Sequence, residues 1–332
     1  MDQSKMLKAA VIGVGYLGRF HAQKYAALDG VELMGVIDLD PAQAKQVGEE
    51  LGVPWFTDYR DLLGALDLVT IATPTIAHYR VTEACLKAGI HVLVEKPVTA
   101  TLAEADELIQ LADRKKLVFQ VGHLKRFHPA VLALKKSGLL KKTRFIESQR
   151  IAPFKPRALD VDVVLDLMIH DVDLILNFVG ADVVDIQAMG APIVTHKVDI
   201  ANARLKFANG CVANVTASRV AAAATRNIRL FQDESFLTLD FIDKSIRVVQ
   251  RSGATEMVEG TEVFELKEST LPIEDHDTLE AEIASFCDVV RGGGKPLVSG
   301  RDGRKALEVV TAIRETIDDF SRRLKFGVPS SE

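Results

Sequence analysis

Residues 9–18 read Ala-Ala-Val-Ile-Gly-Val-Gly-Tyr-Leu-Gly, an apolar run that closes on Gly13, Gly15 and Gly18. A short apolar run bounded by glycines reads as a buried parallel strand, followed here by the start of a helix. Gly13 suits the tight turn, Gly15 leaves bare backbone for a pyrophosphate, and Gly18 lets the helix pack closely on the strand. Tyr16 and Leu17 complete the loop. The helix N-terminus adds unpaired N–H groups and the positive end of a dipole, both suited to an anion.

Working outward, a second apolar run over 31–37 ends at Asp38. An acidic residue at that point accepts hydrogen bonds from the hydroxyls of an adenosine ribose and repels a 2′-phosphate. Its neighbours Leu39 and Asp40 include no arginine to welcome one. The competing role for Asp38 is a helix cap, but Asp40-Pro41 already supplies a helix start. The expected cofactor is therefore NAD, in preference to NADP.

Strand and helix signals alternate through the first 120 residues. Strands are expected at 8–13, 31–37, 67–72, 90–94 and 117–121, with helices near 16–28, 41–51, 76–88 and 101–115. That alternation predicts an α/β fold, a doubly wound parallel Rossmann sheet with its ligand edge at the carboxyl ends of the strands. Beyond about residue 123 the pattern changes. One strongly apolar helix at 161–179 precedes strand-like runs at 183–190, 199–207, 211–219, 226–232, 235–241 and 245–249. Hairpin signals such as Ala208-Asn209-Gly210 point to an α+β domain with an open, mostly antiparallel sheet. Two last helices, about 276–291 and 302–323, are expected to pack back. The predicted division is 1–122 for cofactor and 123–332 for substrate and oligomerisation. The uncovered sheet face predicts a homodimer or homotetramer.

Composition narrows the function. A chain of 332 residues, 48% of them hydrophobic, has enough apolar material for two cores. No run approaches the ~18 apolar residues of a membrane span. The opening Met-Asp-Gln-Ser-Lys lacks the pattern of a secretory signal, which predicts a cytoplasmic protein. Cys85, Cys211 and Cys287 are scattered, so neither a disulfide framework nor a metal-spaced pair is expected. A net charge of −5 without a basic tract argues against nucleic acid as a partner.

Two constellations can carry chemistry. Glu95-Lys96-Pro97 follows the strand at 90–94, where the cofactor edge should lie. Position alone leaves Lys96 open between a solvated turn and a functional amine, and Pro97 restricts the backbone before it. The second is the helix at 161–179. There Asp162, Asp166, His170, Asp173 and Asn177 recur at helical spacing among apolar neighbours, which predicts one shared polar face. On an isolated helix such a stripe would be solvated. No histidine or cysteine cluster completes a metal site, so no metal is expected.

Taken together, Gly13-x-Gly15-x-x-Gly18, Thr73-Pro74 with His78, Glu95-Lys96-Pro97 and Asp166-x-x-x-His170-Asp171 resemble the family named for glucose–fructose oxidoreductase, inositol dehydrogenase and a rhizopine-catabolism protein (Gfo/Idh/MocA). The resemblance covers essentially the whole chain. It implies that the glycine loop, Asp38, Thr73, Pro74, His78, Glu95 and Lys96 hold NAD. It also implies that Lys96, Asp166 and His170 surround the hydroxyl carbon of a sugar or polyol. A narrower likeness lies in Gly122 to Val131, Ala217 to Val220 and Arg226 to Arg229. These stretches look like members that oxidise UDP-N-acetylglucosamine at its 3-hydroxyl, ahead of an aminotransferase that makes a 3-amino sugar for lipid A.

Arg126, Arg150, Arg157 and Arg219 are the candidate substrate contacts, since a guanidinium fork suits a diphosphate. Each taken singly also reads as an ion pair, Arg219 least so. The alternatives are a dehydrogenase of free sugars or inositol, a reductase of a non-sugar carbonyl, and a non-catalytic NAD-binding regulator. Retention of Lys96, Asp166 and His170 argues against the last of these.

Overall fold

The computed structural model describes residues 6–156 and 161–323. Two compact units emerge: one comprises the chain up to Phe127 together with His276–Leu307, the other His128–Asp275 with the remainder. The first unit is therefore discontinuous in sequence. It ends five residues later than the expected boundary at 122, and it reclaims a late segment.

The first unit is built on six parallel strands: β1 (Leu7–Ile12), β2 (Val31–Ile37), β3 (Trp55–Phe56), β4 (Leu68–Ile71), β5 (His91–Glu95) and β6 (Phe119–Gly122). Their spatial order is β3-β2-β1-β4-β5-β6, the doubly wound arrangement in which the chain reverses direction across the sheet beside β1. Every residue of β4 is buried, as expected of a parallel strand covered on both faces. The connecting helices are α1 (Tyr16–Ala27), α2 (Pro41–Leu51), α3 (Thr75–Lys87) and α4 (Leu102–Lys115). Asp40 caps α2 by accepting the Ala42 N–H, which leaves Asp38 free of that duty.

The core of this unit joins Val11, Tyr25, Leu68 and Leu93 to Ile283, Phe286 and Cys287. The last three belong to the late helix α7 (Thr278–Gly292; α5 and α6 are described below). Lys24 of α1 pairs with Asp277 at 2.8 Å at the start of that helix.

The second unit carries an eight-stranded sheet. Its strands are β7 (Thr143–Ile151), β8 (Val183–Ala191), β9 (Ile200–Phe207), β10 (Val212–Ser218), β11 (Thr225–Gln232), β12 (Ser235–Asp240), β13 (Ser245–Val258) and β14 (Thr261–Thr270). They lie in the order β14-β13-β12-β11-β7-β10-β9-β8, antiparallel throughout except where β10 runs parallel to β7. Helices α5 (Pro129–Ser137) and α6 (Ile169–Val179) belong to this unit, and α8 (Gly300–Arg323) ends in it. Along β9 exposed and buried residues alternate strictly, so one face of the sheet is packed and the other is open.

Four elements differ from expectation. The short β3 and helix α5 were not anticipated. Neither was β7, whose Arg150 is buried and interrupts the apolar alternation. β14 is exposed along its length and so lacks a buried-face signal. The expected helix at 161–179 is also not uniform. Val164–Met168 forms a π-helical turn before α6 begins, and the single extra residue resets the side-chain phase.

Candidate active site

In the first unit the cofactor edge is assembled at the ends of β1, β2, β4 and β5. Gly13 takes a φ of +86°, and a Cβ there would sit 2.8 Å from the Ala72 and Thr73 backbone. A Cβ on Gly18 would lie 1.8 Å from the Gly13 carbonyl oxygen, so β1 and α1 approach too closely for any side chain. Gly15 has no atom within 4 Å of its Cβ position, which leaves bare backbone beside the start of α1. That is the cradle a pyrophosphate needs, and α1 has no acidic residue in its first turn to oppose the anion.

Asp38 sits at the end of β2. Its Oδ2 accepts the Val14 N–H at 2.9 Å and its Oδ1 the Asp40 N–H at 3.1 Å, which ties the carboxylate to the glycine loop. Tyr16, Leu39 and Ile76 stand 85%, 88% and 88% exposed along the same edge. Large apolar side chains left this open are an adhesive rim for a flat, partly apolar ligand. The residues present therefore fit a dinucleotide.

His78 was expected beside the cofactor, but its ring is buried and spans two loops. Nδ1 lies 2.8 Å from the Pro97 carbonyl and Nε2 2.8 Å from that of Thr73. It thus fastens the ends of β4 and β5 to each other, and burial lowers its pKa against the pull of those carbonyls. Glu95 is likewise inward. Its Oε1 accepts from His21 Nε2 at 3.0 Å, and its Oε2 from the Lys96 backbone N–H at 3.2 Å. Lys96 follows half-buried, and its peptide bond to Pro97 is cis.

In the second unit Asp166 stands within the π-helical turn and His170 at the start of α6, both half-buried. The expected five-residue stripe does not survive intact. Asp162 caps the turn by accepting the Val164 and Leu165 N–H groups and pairs with Arg314, while Asp173 is buried. Asp171, next to His170, receives both arms of Arg150 at 2.9 and 2.7 Å, with the pair almost wholly excluded from water.

Arg219 is equally committed. Its Nε donates to Asp199 at 2.8 Å and its Nη2 to the Val161 carbonyl at 3.1 Å. Asp199 also accepts the N–H groups of Ile193, Val194 and Thr195. Burial works against its charge, but these donors hold its carboxyl well below the usual range. Arg126 is 2% exposed, with a guanidinium nitrogen 3.7 Å from Asp302. Arg126, Arg150 and Arg219 thus lie buried beside carboxylates in this structure. Arg157 lies outside the described residues.

His21 and Glu282 belong to none of the motifs in the sequence, yet both are buried beside Glu95. A histidine in the first turns after a glycine loop, and a glutamate four residues before the core residue Phe286, were the available signals. No helix among the described residues is long and apolar enough to cross a membrane.

Comparison with known proteins agrees with this geometry. Residues 7–123 match the model for an oxidoreductase family with an NAD-binding Rossmann fold, and residues 144–237 match a GFO/IDH/MocA C-terminal domain. The chain is 40% identical over 317 residues to a UDP-N-acetylglucosamine 3-dehydrogenase from Acidithiobacillus ferrooxidans, covering 96% of this chain and 99% of that one. A crystal structure of that enzyme superposes with a TM-score of 0.87, covering 95% and 98% of the two chains at 39% identity. A myo-inositol 2-dehydrogenase from Thermotoga maritima is 26% identical over 331 residues, covering 94% of this chain and 97% of that one.

Proposed function

Because the chain belongs to the Gfo/Idh/MocA family of NAD-binding oxidoreductases, we propose that it oxidises the 3-hydroxyl of UDP-N-acetylglucosamine to the 3-keto sugar. The observation that carries this reading is the near-complete match, at 40% identity, to an enzyme of that name. The glycine loop, Asp38 and the rim of Tyr16 and Leu17 hold the dinucleotide, and Thr73, Pro74 and His78 shape its edge. Bound NAD supplies the acceptor for the hydride that leaves the sugar carbon. His170 takes the hydroxyl proton, a task suited to an imidazole. Asp166 orients that hydroxyl or the ring. Lys96, as an ammonium, stabilises the developing alkoxide.

Among the arginines, Arg150 acts through Asp171 beside His170, and Arg219 through Asp199. Arg157 remains the candidate for the diphosphate, since Arg126 is buried beside Asp302. The product is a ketone of the kind an aminotransferase needs for the 3-amino sugar of lipid A, in cytoplasm, with the open sheet face closed by another copy.

The test mixes the protein with NAD and a panel of UDP-sugars, following reduced-nicotinamide absorbance and product mass. A UDP-N-acetylglucosamine product lighter by about two mass units, the two hydrogens lost on oxidation, supports the assignment. Silence across the panel, with turnover of inositols or free sugars, overturns the substrate and leaves the family.

A further inference from the structure

His21 on α1, Glu95 at the end of β5 and Glu282 on α7 are all buried, and their ligand-type atoms lie within 4.8 Å of one another. The cluster is tied to Lys96 through Glu95, whose Oε2 accepts the Lys96 backbone N–H at 3.2 Å. A Cβ on Gly122 of β6 would come 3.0 Å from the Glu95 carboxyl, so the bare glycine backbone leaves the space that this carboxyl occupies.

The two carboxyls differ in what surrounds them. Glu95 accepts the His21 N–H and the Lys96 backbone N–H, and the Lys96 charge also favours its ionised form. Both Glu282 oxygens are buried with no hydrogen-bond partner among the described residues. Two facing carboxylates shut away from water do not both ionise. The proton therefore belongs to the carboxyl without donors. Directions of titration agree. Burial and the Glu95 charge push Glu282 well above the usual carboxyl range, whereas His21 and Lys96 overcome burial to hold Glu95 below it.

Of the other titratable groups, α1 carries Tyr16, Arg19, Lys24 and Tyr25, α7 carries Glu280, Cys287, Asp288 and Arg291, the buried His123 follows β6, and the 3-10 turn at 124–127 carries Lys125 and Arg126. The Tyr25 hydroxyl is hydrogen-bonded to Thr70, and Arg126 is turned towards Asp302.

We propose that His21, Glu95 and Glu282 form a buried charge-setting triad, in which a neutral Glu282 confines the single negative charge to Glu95 and Glu95 positions Lys96. Glu95 is thus a positioning residue, and Glu282 is the acid that keeps its charge undivided. The role given to Lys96 rests on the dehydrogenase reading above. A divalent cation held by the same three side chains would require both carboxylates ionised.

Three variants test this. In infrared spectra at about pH 8, the wild-type protein carries a buried carboxylic-acid C=O band that E282Q loses. E282Q keeps kcat within about threefold, because it is neutral and isosteric. E95Q lowers kcat roughly tenfold or more, since a misplaced catalytic group costs on that scale, while KM for NAD stays within about twofold. Removing the anion also shifts the alkaline limb of the kcat profile of E95Q to lower pH, and E282Q leaves that limb in place.

Loss of activity in E282Q equal to that in E95Q overturns the proposal. So does absence of the acid band, or one equivalent of metal that survives chelation. If wild-type protein does not turn over UDP-N-acetylglucosamine, the substrate reading fails. The acid band and its loss in E282Q still decide the triad, because neither needs substrate.

Discussion

His170 and Glu282 show how differently single residues bear on this protein. Replacing His170 with alanine should leave NAD binding intact and lower turnover by roughly 100-fold or more, the usual scale of general acid–base catalysis. Unchanged turnover with NAD still bound would remove the role given to it. Asp38→Ala should weaken NAD and erode discrimination against NADP, because the carboxylate anchors the glycine loop and is the residue proposed to meet the ribose. Titrating both cofactors by intrinsic fluorescence measures this directly.

Glu282 bears on stability. Its unfolded form releases a proton near pH 4, whereas burial and the Glu95 charge make the folded form retain it. The stability it permits is therefore complete below about pH 4 and falls as pH rises towards the folded value, by up to about 1.4 kcal/mol per pH unit. E282Q has no proton to lose, so its melting temperature should gain on that of the wild type between about pH 5 and pH 8. A constant difference would contradict a protonated Glu282. Glu95 and Lys96 were legible as a motif, but the His21 partner lies 74 positions from Glu95 and carries no spacing cue.

At the level of elements, the parallel strands were legible because burial on both faces leaves nearly unbroken apolar runs, as in β1 and β4. Where charge is buried, that logic fails. β7 hides behind Arg150, whose cost of burial is offset by both arms on Asp171. The π-helical turn at Val164–Met168 likewise removed Asp162 and Asp173 from a stripe that spacing alone had drawn.

Two element-scale outcomes follow from the contacts. Gly18→Ala puts a methyl group where the Gly13 carbonyl oxygen already lies, so α1 must move away from β1. NAD affinity should fall roughly tenfold or more, on the scale of a misplaced binding element, with a lowered melting temperature. Asp199→Ala strips Arg219 of its carboxylate and the 193–195 loop of its acceptor, which should cost about 3–5 kcal/mol in urea unfolding.

For the whole molecule, the chain divides into two units, and the first stretch ends at Phe127, close to the change of pattern near residue 123. The late return of the chain to the first unit was visible only as helices expected to pack back. On the edge strand β8, Val184 is 65% and Met189 57% exposed, apolar surface that a second copy could cover. Sedimentation should therefore find a dimer or larger assembly. Val184→Lys together with Met189→Lys should shift it towards monomer without loss of fold.

The return of the chain also governs how the protein is made. Ile283, Phe286 and Cys287 complete the core that Val11 and Tyr25 begin. A ribosome adding about 5–20 residues per second needs roughly ten to thirty seconds to travel from Phe127 to α7. For that interval the nascent nucleotide-binding half waits with one side of its core unfilled. A fragment cut after Phe127 would be left in the same condition permanently.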